Sequence, residues 1–356
     1  MNEEIERLRK WADGNPQPPV GIELAPTLRC NLNCKFCWRR KDDFKKTDEE
    51  LRKNEMSLGK YKKIIREARD MDVKEVRIIG GGEPLFRQDT IDIMKKIKEE
   101  GLYGYICTNG SLFTNEEIEI LKSIGWDHVK FSLHGLKKTH NDLVEREVFD
   151  KVIENLQRFS NSDVKVEVGM VVVNKNYDEI GEMLKLVEDM NVDFFFLEPI
   201  TVYSKIGENL TLAENEEKKL RNMIRKVKNT TEKWGIVNNF EEFIRNNLVN
   251  KTSKMKEFIL SKIDKESESF AQLPCYEPFL RMGIRVDGRV APCGFYDQER
   301  GDSVKNKSLE EVWYGNYFEE RRKEQINKKL PDYCSKCCTT LVNKQMCIRE
   351  KLGEVI

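Results

Sequence analysis

The chain has no long apolar run and no net charge, and both absences limit what it can be. No stretch approaches the roughly 20 apolar residues that a membrane-spanning helix needs. The first residues, MNEEIERLRKW, are charged and lack the apolar core of a signal peptide. Lys and Arg together total 62, as do Asp and Glu, so no overall basic surface favours nucleic acid. We therefore expect a cytoplasmic protein that has neither a membrane nor a nucleic acid as partner.

Histidine is scarce, with three residues that show no metal-ligand spacing, whereas the chain has ten cysteines. In a reducing compartment, clustered cysteines are more often metal ligands than disulfides. Cys107 lies alone within an apolar run and is interpreted as a core residue. The others form two clusters: Cys30, Cys34 and Cys37, and then Cys275, Cys293, Cys334, Cys337, Cys338 and Cys347.

From Val20 to about Pro199, apolar runs alternate with amphipathic stretches, which predicts an α/β fold with a parallel sheet. The predicted strands are Val20–Leu24, Val73–Ile79, Tyr103–Thr108, His128–Leu133, Val164–Val173 and Phe194–Leu197. Helices are predicted near 57–70, 89–100, 115–124, 147–160 and 177–190, with Ser57, Asn115 and Asn176 as N-caps. Six such units are too few for a closed eight-stranded barrel, and functional groups are expected at the carboxyl ends of the strands.

The first cysteine cluster has the spacing Cys-x3-Cys-x2-Cys and directly follows the first predicted strand. Short cysteine loops of this kind bring several sulfurs to one metal centre. Three ligands are one fewer than the usual four, and an open position is typical of a catalytic metal site. On the triplet alone, a zinc loop and a set of core cysteines are the alternatives. A second motif, Gly80-Gly81-Gly82-Glu83-Pro84, follows the second strand, where consecutive glycines let the backbone approach a ligand closely.

Together with Thr108-Asn109-Gly110 and Ser132-Leu133-His134-Gly135, these motifs resemble those of the radical SAM (S-adenosylmethionine) superfamily, although His134 stands where Asp is more usual. The resemblance implies a partial (βα)6 TIM-like barrel over residues 1–204. It also implies that Cys30, Cys34 and Cys37 hold a 4Fe–4S cluster whose fourth iron binds SAM. Reductive cleavage of SAM then gives a 5′-deoxyadenosyl radical that abstracts hydrogen from a substrate.

The resemblance and the polar positions on the strands predict a set of SAM contacts. These are Phe36, Gly81, Gly82, Glu83, Asn109, Ser132, Arg146 and Glu167. For Arg146 the alternative is a surface arginine. For Glu167, and for Glu198 on the next strand, it is a carboxylate that faces solvent at a strand edge. No residue is assigned as the catalytic acid or base.

The second cysteine cluster resembles the auxiliary-cluster domain called SPASM or its shorter form, the twitch domain. Residues 205–270 are predicted to be a charged helical connector, with helices Glu214–Lys228 and Phe240–Leu260, and residues 271–356 to be the auxiliary domain. Between Met282 and Val290 the pattern predicts a hairpin that turns at Asp287-Gly288.

The resemblance implies one auxiliary 4Fe–4S cluster, held by Cys275, Cys293, Cys334 and Cys337. Cys338 and Cys347 are then spare thiols or substitutes. A second auxiliary cluster is an alternative, although Asn343 stands where a full SPASM domain has a further cysteine. A zinc ribbon is the alternative for this domain taken alone.

The expected function is that of a radical SAM oxidoreductase of the SPASM/twitch type, reduced by ferredoxin or flavodoxin. Peptide or protein modification, with oxidation through the auxiliary cluster, is the reaction we expect. One alternative is a dehydrogenase or modifying enzyme that acts on a small molecule. Another is a non-catalytic iron–sulfur or zinc module in electron transfer or nucleic-acid binding, for which Arg39-Arg40-Lys41 supplies a small basic patch. No motif identifies the substrate.

Overall fold

The computed structural model describes residues 2–41, 44–245, 255–293, 301–337 and 339–354. Within them the strands form one sheet, in the order β7-β6-β5-β4-β3-β2-β1-β8-β9. The strands are β1 (Gly21–Leu24), β2 (Glu75–Ile78), β3 (Tyr103–Thr108), β4 (His128–Ser132), β5 (Lys165–Val172), β6 (Phe194–Pro199), β7 (Val237–Asn238), β8 (Arg281–Ile284) and β9 (Val290–Ala291). Neighbouring strands are parallel, except that β8 and β9 form an antiparallel hairpin.

Helices connect the strands of the barrel and extend into the C-terminal region. The first group is α1 (Asn2–Ala12), α2 (Asp48–Arg52), α3 (Leu58–Asp70), α4 (Thr90–Glu99), α5 (Asn115–Ser123), α6 (Lys137–Val144), α7 (Phe149–Ser160) and α8 (Ile180–Asp189). The second group is α9 (Lys205–Glu208), α10 (Glu214–Trp234), α11 (Phe240–Arg245), α12 (Met255–Leu260), α13 (Glu277–Leu280), α14 (Leu309–Trp313), α15 (Asn316–Ile326) and α16 (Thr339–Gly353). None of the described helices combines the length and apolar character that crossing a membrane requires.

Alternation along the strands separates an apolar face from a polar one. Ile22, Val76 and Val129 pack with helix residues such as Ile64 and Ile93 in one hydrophobic core. Successive side chains of a strand point to opposite faces, so the residues between them lie on the other, concave face. Those residues are Glu23, Arg77, Tyr105, Lys130 and Glu167. The barrel therefore has a helix-covered apolar outside and a charged interior.

The partial barrel is confirmed, and its six predicted strands are present with ends shifted by at most three residues. The hairpin is confirmed as well, with Gly288 at φ +82° in its turn. Two pairings were not predicted: β7, from the connector, pairs with β6, and β8, the first strand of the hairpin, pairs with β1. Both additions cover strand edges that would otherwise leave backbone groups unpaired.

The two predicted connector helices differ from the structure in length. The first begins at Glu214 as predicted but continues to Trp234. The range predicted for the second, Phe240–Leu260, contains α11 and α12, and residues 246–254 lie outside the described ranges.

Two of the three predicted N-caps are wrong. Ser57 caps α3 as predicted, by accepting the backbone N–H of Lys60. Thr114, rather than Asn115, caps α5, through a capping box with Glu117. Asn176 does not cap a helix: its amide donates to the carbonyl oxygens of His134 and Val171 and thereby joins two strand ends.

Candidate functional site

The three thiols of the N-terminal cluster lie in the loop that leaves the carboxyl end of β1. Cys30, Cys34 and Cys37 are all partly buried, and the nine described cysteines form no disulfide. Burial raises the pKa of Cys30 to about 11, and the nearby charge of Glu83 adds to the effect. Burial also raises the pKa of Cys34, with repulsion from Cys37 and Cys30 adding to it. Soft, buried thiols fit a thiolate-ligated iron centre, whose positive charge would stabilise their thiolate forms.

The sulfurs are close enough to interact but are not gathered into a ligand shell. In the part of the chain that the structure describes, no group of three or more His, Cys, Asp or Glu side chains is arranged to hold a metal ion.

The glycine-rich segment after β2 packs against the backbone that leads into this loop. Gly82 N donates to Thr27 O at 2.9 Å, and Glu83 N donates to Arg29 O at 2.9 Å. A Cβ atom on Gly82 would lie 2.7 Å from the carbonyl carbon of Arg29 and nearer still to its oxygen. The close approach that glycine permits is thus made to the cysteine loop itself.

Gly81 adds a further link between the same two segments. Its φ of +80° is in the left-handed region that favours glycine. Its carbonyl oxygen accepts the indole N–H of Trp38 at 3.1 Å, from the residue that follows Cys37. The glycine segment therefore holds the cysteine loop at both ends.

Glu83 joins the carboxyl ends of β2 and β3. Its carboxylate is buried and accepts hydrogen bonds from Thr108 Oγ1 at 2.6 Å and from Asn109 N at 2.7 Å. Burial raises the pKa of Glu83 to about 7, although these hydrogen bonds act in the opposite direction. Its carboxylate oxygens therefore accept hydrogen bonds from the protein's own groups, and Glu83 connects the segment after β2 to the end of β3.

Asn109 and Arg146 both contact Asn31, between the first two cysteines. Asn109 Nδ2 donates to Asn31 Oδ1 at 2.9 Å, and Arg146 Nη1 donates to Asn31 O at 2.6 Å. The loop backbone is also bonded to the end of α6, where Lys35 N donates to Leu143 O at 2.9 Å. The predicted SAM contacts at these two positions therefore lie at the cysteine loop and support its shape.

Phe36 and Ser132 come together where β4 ends. The ring of Phe36 meets the ring of His134 edge-on, with centroids 4.8 Å apart. Ser132 is the last residue of β4 and pairs with Gly169 of β5. An aromatic ring from the cysteine loop thus lies beside the strand end that carries the hydroxyl group.

Glu167 lies deeper in the barrel interior than the other predicted contacts. Its carboxylate is buried, 3.1 Å from Lys130 Nζ and 3.2 Å from His128 Nε2. Burial opposes ionisation, but the charge of Lys130 and the contact with His128 outweigh it and lower the pKa of Glu167 to about 2. Lys130 also pairs with Glu198, across Gly169, where a Cβ atom would lie 3.1 Å from Nζ.

Lys130 was not among the predicted site residues. The signal that identifies it is a cation in an apolar strand, two residues before Ser132 and therefore on the same face of the sheet. Its two carboxylate partners make the barrel interior a connected charged surface.

The structure also brings together thiols of the C-terminal cluster. Burial raises the pKa of Cys275 well above its usual value, and the charges of Glu277, Cys334 and Cys293 add to the effect. Cys337 N donates to Cys334 O at 3.2 Å, which places these two cysteines in one turn. These four fit the donor set of an iron–sulfur centre.

The two remaining cysteines of this cluster are Cys347 and Cys338. Cys347 is partly buried within α16. Cys338 lies outside the described residues.

Two protein-family models match the chain. The model of the radical SAM superfamily matches residues 24–187, which include the first cysteine cluster and the glycine-rich segment. The model of SPASM, an iron–sulfur cluster-binding domain, matches residues 275–338.

Relatives are found among curated proteins. A GTP 3′,8-cyclase of Clostridium perfringens is 29% identical over 182 residues, which are 50% of this chain and 54% of the relative. A GTP 3′,8-cyclase of Aquifex aeolicus is 25% identical over 341 residues, which are 88% of this chain and 96% of the relative. The chain spans about half the length of several of the curated relatives that it matches.

Solved structures share the fold. SuiB of Streptococcus suis bound to S-adenosylmethionine has a TM-score of 0.66 at 19% identity, covering 89% of this chain and 71% of that one. The enzyme anSMEcpe with bound AdoMet has a TM-score of 0.62 at 18% identity, covering 90% of this chain and 86% of that one. At such identities the likeness shows the architecture alone.

Proposed function

Because this chain belongs to the radical SAM superfamily and carries a SPASM iron–sulfur domain, we propose that it modifies a peptide or protein by an oxidative radical reaction. Its cofactors are 4Fe–4S clusters and SAM. The observation that carries the proposal is the shared support of one loop: the glycine-rich segment and the end of β3 both hold the backbone that presents the three thiols.

Each part of the site then has a role. Cys30, Cys34 and Cys37 would hold the N-terminal cluster, while Phe36 would lie against the adenine of SAM and Ser132 would contact its ribose or carboxylate. When bound, the cluster and SAM supply a 5′-deoxyadenosyl radical that abstracts a hydrogen atom from the substrate. The glycine-rich segment keeps the loop in position, and the helices that pack on the apolar outside of the barrel hold the strand ends in place.

An oxidative outcome is supported by the number of C-terminal thiols. Cys275, Cys293, Cys334 and Cys337 suffice to bind one auxiliary cluster completely, which leaves no iron open to the substrate. A fully ligated cluster handles electrons rather than binding substrate, and this favours an oxidised product. Ferredoxin or flavodoxin is the proposed reductant of the N-terminal cluster.

A peptide substrate is supported by the structures that share the fold. SuiB has been solved bound to the precursor peptide SuiA, and anSMEcpe has been solved with a Cp18Cys peptide. A small molecule is the second candidate, because the relative that aligns over 88% of this chain is a GTP 3′,8-cyclase. The match of residues 24–187 to the radical SAM model argues against a non-catalytic electron-transfer or nucleic-acid-binding module.

The test is SAM cleavage by the anaerobically reconstituted chain. We expect about eight iron per chain, as for two clusters, and formation of 5′-deoxyadenosine with a low-potential reductant. Replacing Cys30, Cys34 and Cys37 together by Ala should remove about half of the iron and abolish 5′-deoxyadenosine formation. Cys107→Ala is the matched control, because Cys107 lies on β3 outside both clusters. Undiminished SAM cleavage by the triple variant would refute the assignment.

The substrate class needs a separate measurement. Peptidomes and metabolite pools of a deletion strain and its parent, grown anaerobically, should differ in a modified peptide. A difference confined to small molecules would favour the second candidate instead.

A further inference from the structure

Arg39 is a cation beside the cysteine loop that the proposed function does not use. It lies in the short turn Trp38–Arg40 that directly follows Cys37. The turn has Cys37 at its N-cap, so Arg39 is only two residues from a thiol of the N-terminal cluster. Its side chain is largely buried. A buried cation therefore lies beside the cysteine loop.

Few other contacts hold the Arg39 side chain. Its Nε atom is buried and has no hydrogen-bond partner among the residues that the structure describes. Its Nη2 atom is 4.0 Å from Asp48 Oδ1, and the Asp48 side chain is 53% exposed. The guanidinium also lies 5.8 Å from the ring centre of Phe44. A long, solvent-exposed ion pair and a distant cation–π contact are weak, so most of the charge of Arg39 is left uncompensated.

Three other cations near the loop have closer partners. Arg40 Nη1 is 3.1 Å from Glu145 Oε2, and Lys35 Nζ is 2.6 Å from Asp142 Oδ1. Arg146 donates to the carbonyl oxygen of Asn31. Two adjacent arginines thus differ in one respect: Arg40 is paired at hydrogen-bond distance with a carboxylate, and Arg39 is not.

We propose that Arg39 raises the reduction potential of the cluster held by Cys30, Cys34 and Cys37, by placing a positive charge beside it. This inference rests on the proposed function, because it requires a cluster at those thiols. Reduction adds one electron, and so one negative charge, to the cluster and its thiolates. A fixed cation nearby stabilises the reduced form more than the oxidised form. The electron comes from a low-potential one-electron donor, which is dithionite in the test.

The experiment measures the midpoint potential of the N-terminal cluster in the reconstituted full chain, by redox titration followed by electron paramagnetic resonance at low ionic strength. The spectrum of the triple Cys30, Cys34, Cys37→Ala variant is subtracted to remove the auxiliary cluster. For Arg39→Gln we expect at least a tenfold loss in the reduction equilibrium constant, which is about 59 mV for one electron. Arg40→Gln should change it less than twofold, and Arg39→Lys should restore most of the potential.

The outcomes separate this inference from the proposed function. An unchanged potential in Arg39→Gln, an equal shift in Arg40→Gln, or no recovery in Arg39→Lys overturns the role of Arg39. If Arg39→Gln retains no iron, the exposed Asp48→Asn variant decides, because removal of this carboxylate should raise the equilibrium constant at least twofold, about 18 mV by the same constant. An unchanged or lower potential there also overturns it. Identical spectra of the wild type and the triple variant would instead contradict the proposed function.

Discussion

A single methyl group on Gly82 tests whether the glycine-rich segment supports the cysteine loop. Its Cβ atom would lie 2.6 Å from the carbonyl carbon of Leu28 and 2.7 Å from that of Arg29, and real Cβ atoms do not approach other atoms within 3.0 Å. The obstacle is backbone rather than a flexible side chain, so the two segments must separate. Gly80 is the matched control in the same segment, because a Cβ atom there meets nothing within 4 Å.

The magnitude follows from the hydrogen bonds that the separation breaks. Gly82 N donates to Thr27 O and Glu83 N donates to Arg29 O, both at 2.9 Å. A net backbone hydrogen bond contributes about 0.5–1.5 kcal/mol, and a buried group left unpaired costs about 1–3 kcal/mol. We therefore expect Gly82→Ala to lower the free energy of unfolding by about 2–4 kcal/mol. Gly80→Ala should cost only about 1–2 kcal/mol, for the left-handed backbone at φ +71°.

The more informative readout is what happens at the cysteine loop. Iron per chain, SAM affinity by isothermal titration calorimetry and anaerobic denaturant unfolding would be measured for both variants. Gly82→Ala should lose SAM affinity and N-terminal iron together, whereas Gly80→Ala should keep both. Equal behaviour of the two variants, or full iron and SAM affinity in Gly82→Ala, would show that the close contact does not support the site.

Two further predictions concern Glu83 and the auxiliary domain. The folded-state pKa of Glu83 is about 7, above its usual value of 4.5, so the folded protein holds this proton more tightly than the unfolded chain. Its contribution to stability is complete below about pH 4.5 and is lost as the pH rises through 7, by on the order of 3 kcal/mol. Denaturant unfolding at several pH values should show a smaller loss of stability in Glu83→Gln than in the wild type. An identical dependence of the unfolding free energy on pH in the two proteins would contradict this. A Cys334→Ala, Cys337→Ala variant that is shown to be soluble and compact should still form 5′-deoxyadenosine but little oxidised product, and normal product formation without auxiliary iron would exclude the electron-accepting role.

The sequence predicted the strands of the barrel better than it predicted which strands pair with one another. Alternating apolar residues identify a strand such as β2 or β3 locally, since one face is buried whatever lies beside it. The pairing of β8 with β1 places Arg281 beside Gly21, which is very distant in sequence, and no local pattern specifies such a partner. Asn176 shows the same limit, because an Asn before a predicted helix resembles an N-cap, whereas its amide instead joins two strand ends.

For the candidate site, the sequence likewise predicted where the motif residues lie but not which groups they contact. The motifs locate Glu83 and Asn109 just beyond the carboxyl ends of β2 and β3, where ligands of α/β proteins bind, and Arg146 follows α6. They do not specify what satisfies each polar group. In the structure Glu83 accepts hydrogen bonds from the end of β3, and Asn109 and Arg146 bond to Asn31. Lys130 was missed because a single cation in a strand gives no spacing pattern.

These contacts suggest why the motif residues lie so far apart along the chain. The cysteine loop has little regular structure of its own, so its shape depends on groups from β2, β3 and the end of α6. None of these groups is a thiol, so the contacts leave the three cysteine side chains available to a cluster. A metal site can supply much of the ordering of its own ligands, and a loop that the fold already holds in place needs less of it. The contacts from the folded barrel thus order most of the cysteine loop, and a bound cluster would order the rest.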